Sequence, residues 1–202
     1  RSFLSAAGKE LSFEQVFNTR GEPASLHYTA VVLAKGQEMP FEVWRDHDRR
    51  LKRVTGKDLE LYATKAPGQT EFTLSILDRK KRIHTRIDRS NLYRIGNFAD
   101  WFDLAHGLRH PAGPHRIAQA TAPKDAPTPA VPCTWFDIAQ DPRITHVCWS
   151  ADFRIPALIV ADNGRAVWKL IAADTKPIPA STFEIHDEGF VRNDANRDIE
   201  ND

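Results

Sequence analysis

Cys133 and Cys148 are the only cysteines among 202 residues, and they fall in two β-prone runs. Cys133-Thr-Trp-Phe-Asp-Ile138 and Ile144-Thr-His-Val-Cys-Trp-Ser150 flank Ala139-Gln-Asp-Pro-Arg143, a turn-forming cluster. A turn centred on Gln140 and Asp141 sets the two cysteines directly opposite each other, within cross-linking reach. The chemistry on offer is a structural disulfide, since there is no C-x-x-C spacing and no further thiol for exchange. Closing so short a loop contributes about 3 kcal/mol in the chain-entropy model. The bond persists only where thiols are oxidised, which points to a secreted or periplasmic protein. Without a second close pair, two cysteines do not make a zinc site.

The other candidates for chemistry are weaker. The chain has no G-x-S-x-G, no Gly-rich phosphate loop and no H-E-x-x-H. No paired acid/base or nucleophile constellation is visible either, so the expectation is a non-enzyme with no catalytic residue, no cofactor and no metal. His106, His110 and His115 are the closest of eight histidines. Pro111, Gly113 and Pro114 break any helix that would align them, so they read as surface or lid histidines. The basic run Arg79-Lys-Lys-Arg82, with Arg86, Arg89 and Arg94, reads as a solvated hairpin tip whose lysines guard a sheet edge. An anionic partner is the alternative. Asp194-Ala-Asn196-Arg-Asp198-Ile-Glu200 sets oxygen ligands at alternate positions, as a calcium loop opens. The sixth position is Ile199 rather than glycine, so residues 187–202 read as a solvated acidic tail.

Lys+Arg number 28 against 27 Asp+Glu, a balance that does not indicate nucleic-acid binding. No apolar run reaches the roughly 18 residues of a transmembrane helix, so the chain is not expected to span a membrane. Its opening, Arg1-Ser-Phe-Leu, is compatible with a removed signal sequence. It is equally compatible with a lipidated cysteine just before residue 1 that would anchor the protein to an outer membrane.

Elements follow from the spacing of apolar residues. Ser12-Phe-Glu-Gln15 is a capping box, with Phe13, Val16 and Phe17 on one helical face. Strand pairs are expected at Ser25–Ala34 with Phe41–Arg45, Arg50–Thr55 with Asp58–Ala63, and Glu71–Leu77 with Arg82–Asp88. In the last hairpin, a loop at Arg79 and Lys80 makes Ile76 face Ile83, Leu74 face Thr85 and Phe72 face Ile87. That side is apolar. The other, with Glu71, Thr73, Ser75, His84 and Arg86, is wet. Asn97 caps a helix carrying Phe98, Trp101, Phe102, Ala105 and Leu108 on one face, ended by Gly107. Six of the 13 prolines lie in residues 109–132, where only His115–Thr121 can be a strand. Residues 95–130 therefore read as a helix plus Pro-rich insertion or lid between two halves of one sheet. Ile155–Ala161 and Arg165–Ile171 flank Asp162-Asn-Gly, a strong hairpin signal that pairs Ile159 with Trp168 and Ala157 with Leu170. Thr182–Ile185 is the last expected strand.

The sum is a mainly β (α+β) single domain over 1–202: a curved, incompletely closed antiparallel half-barrel of ten or eleven strands with covering helices. This order of elements resembles the LolA/LolB-like superfamily of periplasmic lipoprotein carriers, outer-membrane lipoprotein-sorting proteins and sigma-factor regulatory sensors. The likeness rests on Trp149-Ser-Ala-Asp-Phe-Arg-Ile-Pro156, Asp162-Asn-Gly164 and Pro177–Ile185. An early pattern adds to it: Phe41-Glu-Val-Trp-Arg-Asp, Arg50-Leu-Lys-Arg-Val and Leu59–Tyr62. The resemblance implies a periplasmic carrier of an acyl chain, lipid or lipoprotein. Phe72, Leu74, Ile76, Ile83 and Ile87 would line the concave wall, and Trp101 and Phe102 would close it. The alternative is a sensor or envelope-assembly module that contacts another envelope protein through a strand edge or the basic hairpin.

Overall fold

The computed structural model describes residues 10–94 and 100–200. The chain opens with α1 (Phe13–Val16) and continues into β1 (Ser25–Ala34), β2 (Gln37–Asp46), β3 (Arg50–Thr55) and β4 (Leu59–Thr64). β5 (Thr73–Asp78) and β6 (Ile83–Asp88) lead to α2 (Arg89–Arg94) and α3 (Trp101–His106). The second half holds β7 (Arg116–Gln119), β8 (Thr134–Gln140), β9 (Arg143–Ser150), β10 (Ile155–Val160) and β11 (Ala166–Asp174). After a 3₁₀ turn at Ala180–Phe183 come β12 (Val191–Asp194) and α4 (Ala195–Glu200). All twelve strands form one open sheet in the order β12-β6-β5-β4-β3-β2-β1-β11-β10-β9-β8-β7.

The sheet is curved and incompletely closed around its helices. Phe17 of the α1 turn meets Phe136 of β8 and Trp149 of β9, while Trp101 of α3 meets Phe72 at the start of β5. Strands β5 and β8 are eight steps apart in the sheet, about 38 Å on a flat sheet at 4.8 Å per strand. Two helices of four and six residues touch both only because the sheet bends around them. One core results, from Phe72 and Leu74 through Leu26, Tyr28 and Val43 to Ile138 and Ile117.

Local signals act as the sequence suggests in several places. Ser12 accepts from the Gln15 backbone and donates its own N–H to the Gln15 side chain, closing the capping box. Gly107 ends α3 at φ +67°, and a Cβ there would strike the Trp168 indole at 2.5 Å. Ile159 pairs with Trp168. The expected cap Asn97 and neighbouring Phe98 lie outside the described residues; α3 begins at Trp101, where Asp103 receives the Asp100 N–H.

Two hairpins differ from expectation by two residues. Leu74 pairs with Ile87, Ile76 with Thr85 and Asp78 with Ile83. The reason is Asp78, whose carboxylate accepts the Lys81 N–H at 3.0 Å and stabilises a longer loop. In the cysteine hairpin Gln140 pairs with Arg143, which puts the turn on Asp141-Pro142. Proline has no N–H for the ladder and is most easily held in a turn. Cys148 therefore lies opposite Trp135 rather than Cys133, yet the disulfide forms, with Cα atoms 5.3 Å apart, from a position just before β8.

The carboxyl-terminal part is the main departure. Thr182–Ile185 is not a strand, and residues 187–200 are not a free solvated tail. Residues 175–190 run as a strap over the convex face from β11 to β6. Phe183 lies 4.7 Å beneath the Arg50 guanidinium, Arg79 donates to the His186 carbonyl, and Arg82 donates to the Glu188 carbonyl. The two arginines of the basic run thus hold the chain's own strap. Under it Leu77, Tyr62 and Glu60 are buried, so this part of the expected wet face is dry. β12 then pairs in parallel with β6, and Asn196 accepts the N–H of Asp88 and the amide of Asn91.

Asp187 is the strap's charged fastening, bonded to His84 at 2.8 Å and to Arg192 at 2.9 and 3.1 Å. Those hydrogen bonds, Arg192 first and then His84, pull its pKa from 3.8 down to about 2. A depressed carboxylate contributes stability above its unfolded pKa and loses it as pH falls through the folded one. Between pH 4 and 2 the strap is therefore expected to loosen before the sheet does. Hydrogen exchange should show faster amides at 186–194 with β1 and β2 still protected. Equal protection of both regions down to pH 2 would refute this.

Candidate functional site on the concave face

Alternation along each strand decides which side chains face the helices. On β1 these are Leu26, Tyr28, Ala30 and Val32; on β3 they are Leu51, Arg53 and Thr55. Burial along these rows is uneven. Leu26, Tyr28, Val43, Leu51 and Ala63, level with the helices, are at most 1% exposed. Nearer the hairpin tips Val32, Met39, Arg53, Ile76 and Ile83 are half-buried, and Leu59 is 43% exposed. The helices therefore plug one half of the concave face and leave the other half partly open.

The seven expected groove residues divide along that line. Phe72, Leu74 and Ile87 are buried in the core beneath α3. Ile76 and Ile83 stand on the same face in the open half. Trp101 and Phe102 are half-buried on the covering helix, the first edge-on to Phe72, the second edge-on to Phe13.

Polar contacts rather than apolar ones alone fasten α3. Tyr28 donates its hydroxyl to the Ala105 carbonyl at 3.1 Å, and burial pushes its pKa up, so it remains a donor. His106 is 1% exposed. One ring nitrogen lies 3.0 Å from the Phe102 carbonyl and the other 2.8 Å from Glu22. Glu22 in turn accepts from Arg45 at 3.1 Å. Arg45, 1% exposed, also donates to the Pro23 and His47 carbonyls. Burial lowers the Arg45 pKa, and Glu22 opposes that shift most. At the other end of α3, Lys65 pairs with Asp48 at 2.6 Å and lies over the Trp101 ring, while Asp100 receives Arg89 and Tyr93.

Two clefts flank the cover. One, of about 390 Å³, lies among Glu22, Asp48, Lys65, Arg89 and Trp101. A larger one, of about 710 Å³, lies between Leu108-Arg109-His110 and Ile138, Gln140 and Thr145 of the β8–β9 hairpin. No group of three or more His, Cys, Asp or Glu among the described residues could hold a metal ion. In the acidic tail, Asp194 and Asn196 spend their side-chain oxygens on local and interelement hydrogen bonds. No described helix is long and apolar enough to cross a membrane.

Glu22, Arg45 and Arg53 escaped the sequence reading, and His106, expected as a surface or lid histidine, is instead buried against Glu22 on the covering helix. A signal existed for two of them: in Phe41-x-Val43-x-Arg45 and Leu51-x-Arg53, alternation puts an arginine on the apolar side. Glu22 and His106 become visible only when the loop before β1 meets α3. No protein-family model matches the chain, and no curated protein matches it.

Proposed function

We propose that the protein is a non-enzymatic binding or carrier protein for an acyl chain, working on the concave face in an oxidising, periplasm-like compartment. The observation that carries this reading is the unequal filling of the apolar wall. Its helix half is sealed, while Val32, Ile76 and Ile83, nearer the hairpin tips, are only half-buried. A chain laid there continues the wall, and each buried methylene contributes about 0.8 kcal/mol. α3 is suited to yield further length. It has six residues, too few to be a stable helix alone, and it is held by a few polar contacts together with its buried Leu104 and Ala105. Lifting it would uncover Phe72, Leu74 and Ile87.

Displacement of the uncharged fluorophore N-phenyl-1-naphthylamine by long-chain amphiphiles tests the reading. Native mass spectrometry before and after organic extraction gives an independent check. Ile83→Glu is expected to weaken probe binding about tenfold, since an unpaired charge on an acyl wall costs about 1.4 kcal/mol at a half-buried position. The half-buried position lets the new carboxylate reach water, so the unfolding midpoint should barely move. No displacement by any long-chain amphiphile, with no extractable mass, would refute the carrier reading.

A further inference from the structure

Two arginines stand on the concave side of strands β2 and β3, and only one has a carboxylate. Arg45 has its anion in Glu22. Arg53 stands on β3 between Val43 of β2 and Leu61 of β4, in the middle of the apolar wall. Its guanidinium lies 5.6 Å over the Phe41 ring, and no carboxylate among the described residues pairs with it. Burial lowers its pKa; the Tyr28 hydroxyl opposes this and Arg109 adds to it. Arginine stays charged across the physiological range regardless.

Arg109 approaches the same region from above. Gly107 sits tight against the Trp168 indole, and Trp168 packs edge-on to Phe41 at 5.2 Å, the ring under Arg53. Two residues on, Arg109 is exposed and lines the 710 Å³ cleft with Asp100, Asp103, Leu108 and Ile138, and it forms no ion pair with any of the described carboxylates. Two like charges thus act on one region of the wall, and neither guanidinium forms an ion pair among the described residues.

We infer that the acyl chain bound on the concave face carries an anionic head, a carboxylate or a phosphate, and that Arg53 and Arg109 hold it. The inference rests on the acyl-binding reading and narrows it to acidic amphiphiles. A guanidinium presents a planar fork that matches both oxyanions. Leu61, Ile76 and Ile83 continue the wall on strands β4, β5 and β6 beyond Arg53, so head and chain have adjoining places. Arg53 contributes from a fixed strand, and Arg109 from the segment after α3, so the head also bridges the sheet to its cover.

The test uses the full chain and N-phenyl-1-naphthylamine, with oleate, oleyl phosphate, oleyl alcohol and inorganic phosphate as competitors. The two acidic amphiphiles should displace the probe at concentrations about tenfold or more below the alcohol, the scale of a charge-assisted hydrogen bond. Arg53→Met should remove that advantage and leave displacement by the alcohol unchanged, while Arg53→Lys should restore part of it. Arg109→Gln, at an exposed position that forms no hydrogen bond or ion pair among the described residues, should reduce the advantage with little change in unfolding midpoint. Equal displacement by oleate and oleyl alcohol, unaffected by either variant, would overturn the inference and leave acyl binding standing. Failure of every long-chain competitor would overturn both. Inorganic phosphate that protects Arg109 and Arg53 from a guanidine-directed reagent better than oleate does would make a free oxyanion the occupant and also overturn it.

Discussion

Arg45→Ala is expected to lower stability by about 3 kcal/mol, since breaking a buried ion pair leaves its partner uncompensated. In a chain of this size that is a fall of roughly 6–12 °C in the unfolding midpoint. Arg45 is 1% exposed and supplies Glu22 and the carbonyls of Pro23 and His47 with donors. Alanine leaves all three short of a partner in a region with little water. Glu22 keeps 18% side-chain exposure, so the lower end of the range for broken buried pairs applies. The double change Arg45→Met with Glu22→Gln removes both charges and should recover part of the loss, because an apolar side chain of similar volume refills the space. Thermal denaturation of the wild type, Arg45→Met, Glu22→Gln and the double variant forms a double-mutant cycle. A loss under 1 kcal/mol for Arg45→Ala would show that the Glu22–Arg45 contact does not anchor the loop beneath α3.

The second large effect is expected at the disulfide. Replacing Cys133 and Cys148 together by alanine should cost about 3 kcal/mol in the chain-entropy model, again roughly 6–12 °C. Binding on the concave face should change little. Cys148 projects to the convex side, while its neighbours Val147 and Trp149 belong to the concave core. Protein made in an oxidising compartment should show no titratable thiol in the native state. Two reactive thiols there would remove the bridge and, with it, the argument for that compartment.

Much of the architecture was readable from period-two alternation. The faces of β5 and β6 come out as expected although the pairing is shifted by two residues, because a shift of two preserves every side chain's face. Turn position was not readable: Asp78 lengthens one loop and Pro142 moves another, and each effect depends on one side chain. The strap and β12 were invisible for a different reason. All four residues of β12 are exposed, so it carries no alternation, and its parallel partner lies over a hundred residues earlier in sequence. Of the site, the apolar wall was legible as a row of Leu and Ile. The charged groups were not, because a local pattern treats an arginine such as Arg53 as outward-facing unless the strand's parity is followed through.

The strap also bears on how this sheet ends. A twelve-stranded open sheet offers two edges to any strand that might add to it, in this chain or another. Here the outermost strands are β12 and β7, four residues each. Beyond β12 the chain turns at once into α4, and alongside β7 Leu11 already bridges to Ile117. Proline at 114 and 123 bounds β7 on both sides. An arriving strand would find too few unpaired backbone groups to grow from, so a large sheet with a sticky interior wall is protected from edge-to-edge aggregation by the brevity of its two rims.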